Sequence, residues 1–261
     1  LLRQSKKPRQ GAINMKILAI NGSHRGRNGC TQILLDKLAE GATTCGAEFE
    51  TVVLAEQKIN RCLACDFCNK PTTFGRCVHD GKDDVKAIFE RMRAADIIVY
   101  GSPVYVFGVT GLLKTFMDRF NCTGTAPGLC MTKSGLIFHH VDKKVIGKPI
   151  VVMTRCANIE QETVKNTLTY FKTFARYTDA PIVGTLVRKM AMQLEKTDEP
   201  LVREVLSSFV QAGRELALGG AISRSTEKAA AKPLLNVPFL DILMHFPLFK
   251  RRAVEQANRG S

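Results

Sequence analysis

Tryptophan is absent from the chain and aromatic residues make up only 7% of it. No recognised nucleic-acid-binding motif compensates, which argues against a nucleic-acid binder. Acids are also short, 24 against 38 Lys and Arg, so the formal charge is +14. Such a surface attracts nucleic acid, an acidic membrane, a phosphorylated cofactor or an acidic protein partner, and with the first disfavoured a phosphorylated cofactor or an acidic redox partner ranks highest. No apolar run is continuous for the about 20 residues that cross a bilayer. The longest, residues 233–249, is broken by Pro238, Asp241 and Pro247 and followed by Lys250, Arg251 and Arg252. It reads as a segment packed on the domain or at a subunit interface, ahead of a peripheral membrane contact. No export signal is visible, which leads us to expect a cytoplasmic protein, with the basic residues 1–14 a leader and Met15 the natural start.

What is present suits one domain with extensions: 261 residues, 45% of them hydrophobic. Nine cysteines without an export signal favour metal or redox use over a disulfide framework. Cys62, Cys65, Cys68 and Cys77 lie close together, whereas Cys30, Cys45, Cys122, Cys130 and Cys156 are scattered and read as small buried side chains.

Met15 to Thr31, MKILAINGSHRGRNGCT, reads as a buried parallel strand entering a loop of small and basic residues. Ile33, Leu34, Leu38 and Ala42 then repeat at helical spacing, so the loop meets a helix N-terminus and suits an anion. Neither a G-x-G-x-x-G fingerprint nor a P-loop is present.

Further strands are expected at 48–54, 97–100, 150–153 and 182–187, and helices at about 83–94, 109–120, 160–177 and 201–218. Alternation of this kind gives a parallel sheet covered on both faces. Residues 121–148 lack a clear pattern and are too long for an ordinary connection, so they should cover a site or form an interface. Residues 219–261 form a C-terminal extension.

The cysteines of loop 59–82 are spaced C-x2-C-x2-C-x8-C. Three closely spaced thiolates can wrap one face of a cluster while the fourth arrives from a short return, which suits four-thiolate ligation of a [4Fe–4S] centre. A four-cysteine zinc site, a redox-active C-x-x-C pair and an empty relic are the alternatives. His79, beside the run, reads as a surface residue.

Taken together, NGSHR…T, GSPVYVFGV…LK…DR and the cysteine run resemble the NADPH-dependent FMN reductase family, and within it the iron–sulfur flavoproteins, over about Met15 to Leu218. The family's first loop reads N-G-S-P-R followed by G-N-T. This chain matches at Asn21, Gly22, Ser23, Arg25, Gly29 and Thr31, with His24 for proline and Cys30 for asparagine. The resemblance implies a flavodoxin-like α/β fold, doubly wound with a five-stranded parallel sheet of order 2-1-3-4-5, and FMN between the loops after the first and third strands. Carried over, Ser23, Arg25 and Thr31 would hold the FMN phosphate and Ser102, Pro103, Val104 and Tyr105 take the flavin-binding positions, with Tyr105 and Phe107 flanking the ring and Cys30, Gln32 and Gly108 also at the cofactor. Cys62, Cys65, Cys68 and Cys77 would hold the cluster. No side chain is nominated as a catalytic acid or base.

The function expected is conversion between two-electron and one-electron partners, with NAD(P)H or ferredoxin as donor, in a homodimer or homotetramer. An NAD(P)H-dependent flavin or quinone reductase without a cluster is the alternative. A non-catalytic electron carrier or flavin-bearing interaction protein is the second.

Overall fold

The computed structural model describes residues 15–195, 198–235 and 243–259. The proposed leader, residues 1–14, and the middle of the apolar run, residues 236–242, lie outside the described residues.

Strand β1, Lys16–Asn21, is apolar along both faces because it is covered on both: all but its first residue are buried. It pairs in parallel with β2, Glu48–Val53, on one side and β3, Ile97–Pro103, on the other. Alternate residues then diverge. Ile17 and Ala19 enter one apolar layer with helix α1, Cys30–Thr44, while Leu18 and Ile20 enter a second with helices α2, Val85–Ala94, and α3, Gly111–Asp118.

An antiparallel hairpin follows, β4, Gly124–Met131, and β5, Ile137–Val141, and then a short helix α4, Lys143–Ile146. Residues 121–148 are therefore more ordered than their sequence suggests. Two register shifts in the pairing break the alternation that would otherwise have marked the strands. The hairpin is moored by Ser134 Oγ, which donates to Arg176 O at 3.1 Å, and by Asp142 N, which donates to Thr123 O at 2.8 Å.

Strands β6, Ile150–Arg155, and β7, Ile182–Arg188, complete a five-stranded parallel sheet of order β2-β1-β3-β6-β7. With the hairpin strands left out, this is the expected 2-1-3-4-5. Helix α5, Glu162–Thr178, packs with α2 and α3, and helix α6, Pro200–Gly219, with α1. The extension adds α7, Arg224–Ala230, and α8, Pro247–Arg259. Its first part packs on the domain: Leu234 is buried in the α1–α6 layer. Among the described residues no helix is long and apolar enough to cross a membrane.

Helices α1 and α6 meet through glycines. A Cβ on Gly41 would lie 1.8 Å from Val210 O, and one on Gly213 would lie 2.0 Å from Leu38 O. In a free helix Gly→Ala stabilises by about 1 kcal/mol. Here Gly41→Ala has to separate the helices and should destabilise by about 1–3 kcal/mol. Thermal unfolding reads the sign, and an unchanged or higher midpoint would show that the crossing tolerates a side chain.

Candidate functional site

The first and second loops are tied where β1 and β3 end. Gly22 N donates to Gly101 O at 2.8 Å, and the buried Thr110 hydroxyl donates to Gly22 O at 2.6 Å. The same hydroxyl accepts from Leu113 N at 3.1 Å and so caps α3. Ser102 Oγ accepts from Thr110 N at 3.2 Å and donates to Pro103 O at 2.9 Å.

Within the first loop, Asn21 is fully buried and sets the turn. Its Oδ1 accepts from Ser23 N at 2.9 Å and its Nδ2 donates to Gln32 Oε1 at 2.8 Å. Ser23 and Thr31 are buried, and Ser23 Oγ accepts from Arg25 N at 3.3 Å. Their hydroxyls stand at the N-terminus of α1, where the first backbone N–H groups have no intrahelical partner. Gln32 is a brace, since it holds Asn21 and donates to Asp36 Oδ1 at 2.7 Å. Cys30 packs in the apolar layer under α1.

The second loop is a two-residue hairpin turn. Tyr105 N donates to Gly108 O at 3.0 Å, and Gly108 N donates to Tyr105 O at 3.1 Å. At its tip Val106 and Phe107 have φ of 46° and 64°, a left-handed conformation that suits Asn and Gly far better. Both are exposed, Val106 at 94% and Phe107 at 60%. Tyr105 stacks on His24 of the first loop, centroids 5.9 Å apart and planes 10° from parallel. The histidine that replaces the family's proline thus links the two loops.

The third loop, after β6, contributes a residue that sequence reasoning missed. Arg155 is buried, 7% exposed, and its Nε donates to Thr31 Oγ1 at 3.4 Å. The only signal was an arginine ending the apolar strand IVVMTR at the carboxyl edge of the sheet. Cys156, next to it, is buried, donates to Asn158 O at 3.2 Å and has its thiol pKa raised by burial, in keeping with a structural role. Thr154 Oγ1, in register beside Ser102, is buried without a partner. Buried hydroxyls, helix N–H groups and a guanidinium gathered at the carboxyl edge of the sheet suit a phosphorylated ring cofactor.

All four cysteines of the run line one cavity of about 250 Å³, shared with His79, Arg119, Asn121 and Cys122. Left-handed Ala64 and Asp66, φ 51° and 58°, wind the loop around it. Arg119 forms an ion pair with Asp83 in which both side chains are 1% exposed. Its other donors reach Asn60 O at 2.9 Å and Cys77 Sγ at 3.2 Å. Asn121 Nδ2 donates to Cys62 Sγ at 3.8 Å, and the Cys68 thiol donates to Asn121 O at 3.6 Å. Burial raises the Cys68 thiol pKa, and burial with the neighbouring Cys77 pushes Cys122 up to about 12. His79 is half-buried and its Nε2 has no partner, so it is not the surface residue its sequence context suggests. Among the described residues no three His, Cys, Asp or Glu side chains converge as a single metal ion requires.

The sheet order, with the first and third strands adjacent, defines a flavodoxin-like protein. The family model for NADPH-dependent FMN reductase matches residues 15–185, and the chain belongs to that family. It is 43% identical over 105 residues to an iron-sulfur flavoprotein of Archaeoglobus fulgidus, covering 40% of this chain and 48% of that one. It is 40% identical over 107 residues to an iron-sulfur flavoprotein of Methanocaldococcus jannaschii, covering 40% and 50%. The chain spans about half the length of these curated relatives. In fold it is similar to a flavone reductase (TM-score 0.54, 24% identity, 78% of this chain and 62% of that one). It is also similar to an FMN-dependent NADH-azoreductase of Bacillus anthracis (TM-score 0.58, 14% identity, 78% and 99%).

The turn at Val106 and Phe107 can be tested directly. Replacing the pair by Asn-Gly removes two left-handed penalties of about 1–2 kcal/mol each and should raise the thermal midpoint. A lower midpoint would mean that the exposed apolar tip is held by contacts that outweigh the strain.

Proposed function

We propose that the chain is an FMN-dependent oxidoreductase carrying a [4Fe–4S] cluster on Cys62, Cys65, Cys68 and Cys77, which passes electrons between two-electron and one-electron partners. The observation that carries this reading is that all four cysteines line one cavity with a guanidinium and an amide directed at two of the sulfurs. The names of the relatives support it.

Bound FMN would supply hydride and single-electron chemistry, and the cluster single electrons. The chain's part is to seat and tune. Ser23, Thr31 and the first N–H groups of α1 hold the phosphate, and Ser102 to Tyr105 present their backbone to the ring. His24, stacked on Tyr105, keeps the two loops together. Arg119 donates to Cys77 Sγ and Asn121 to Cys62 Sγ, and such hydrogen bonds favour the more negative, reduced form of a cluster. The excess of basic residues suits an acidic protein donor of the ferredoxin type as well as NAD(P)H. Assembly as a homodimer or homotetramer completes the reading.

The deciding experiment counts iron, sulfide, zinc and FMN per chain in an anaerobic preparation. About four iron and four sulfide beside one FMN is expected. Flavin without iron, or with one zinc, would move the chain to the NAD(P)H-dependent flavin or quinone reductases. Cys65→Ser should abolish the iron signal while flavin stays bound, and loss of both would make the loop a structural element. Thr31→Ala should weaken FMN binding about tenfold, the effect of one charge-assisted hydrogen bond. Unchanged retention would remove Thr31 from the phosphate seat.

A further inference from the structure

The described chain has three arginines buried to within a few per cent, and they are satisfied differently. Arg119 has Asp83. Arg188, at the end of β7, donates Nε to Lys189 O at 2.7 Å and Nη1 to Ala230 O at 3.0 Å, which ties the strand to α7. Arg155, its register partner at the end of β6, has neither solution. Among the described residues it forms no ion pair, and its one side-chain hydrogen bond is the 3.4 Å contact from Nε to Thr31 Oγ1. A guanidinium has five donors in a planar fork that fits a phosphate with two parallel bonds. Four of those donors are left over here, beside a fully buried hydroxyl in the first turn of the 15-residue α1. Nη1 and Nη2 of Arg155 are not among the buried atoms left without a partner, so the free fork is open to an incoming anion, and Arg188, in register beside it, adds a second positive charge. The arrangement suits a dianion.

We propose that Arg155 is a second cation of the phosphate seat beside Arg25: it grips the FMN monophosphate together with Ser23 and Thr31, so the third loop helps to anchor the cofactor's tail. The inference rests on the flavin reading above. It adds to the phosphate seat a residue 124 positions from Thr31, where the resemblance places only first-loop residues, Arg25 among them.

The test compares FMN with riboflavin, which has the same ring and no phosphate, each titrated by flavin fluorescence into the flavin-stripped full chain. Arg155→Gln should weaken FMN at least tenfold and leave riboflavin unchanged. Arg155→Lys, which keeps the charge and loses the fork, should show a smaller loss of the same selectivity and decides the matter if the glutamine variant does not fold. Equal affinity for FMN in parent and variants would overturn the proposal. So would parallel loss of FMN and riboflavin, which would mark Arg155 as a residue that only shapes the cleft. If the parent binds neither flavin, the flavin reading fails by itself. Inorganic phosphate then judges Arg155: a rise in the parent's thermal midpoint that is absent in Arg155→Gln sustains the anion seat, and no rise in either overturns it.

Discussion

The Thr110 hydroxyl is the joint on which the candidate site depends. One oxygen donates to Gly22 O, accepts from Leu113 N and so fixes both the exit of β1 and the start of α3. The approach is close enough that a Cβ on Gly22 would lie 2.7 Å from Leu113 Cβ. The first loop can therefore enter α1 only in one way, with Ser23 and Thr31 buried beneath the helix end. Through Gly22 N and Gly101 O, the second loop inherits the same frame. Hydroxyls, the second loop's backbone and helix N–H groups are held by buried bonds between regular elements. That is the rigidity a site needs if binding is not to cost extra ordering.

Two buried guanidinium groups divide the chemistry between them. Arg119 is neutralised by Asp83 and leaves one arm for Cys77, so the cysteine cavity has a hydrogen-bond donor without a strong net charge beside it. Arg155 has no carboxylate partner among the described residues and lies against Thr31 in the first turn of α1, where the helix end adds potential of the same sign. The first arrangement suits tuning of a group already held by thiolates. The second suits attraction of an anion from solution.

The sequence was most legible where local periodicity and global packing agree. Lys16–Asn21 and Ile150–Arg155 are continuous apolar runs because both of their faces are covered, and α2 shows its stripe because one face is not. That Cys62, Cys65, Cys68 and Cys77 gather around one cavity was legible too, since short sequence intervals keep them close. The hairpin 124–141 was not, because its bulges interrupt the period of two, and α7 was not, because seven polar and small residues carry no stripe. Gln32 lay in the right loop, but only the fold shows it bracing Asn21. Arg155 was beyond reach, since its meeting with Thr31 is made by the crossover connections of the sheet.

The way the C-terminal extension meets β7 carries its own consequence. Thr185 N donates to Glu227 Oε1 at 2.6 Å, and Val183 O accepts from Ile222 N at 2.8 Å. These are the outward-facing groups of the last strand, the ones another chain's strand would need to continue the sheet. With them engaged, the β7 side is closed to edge-to-edge growth. Of the two sheet edges only β2, at the opposite side, keeps outward-facing groups for such growth among the described residues, and the hairpin offers a different kind of contact through the exposed Leu129, Met131 and Ile137.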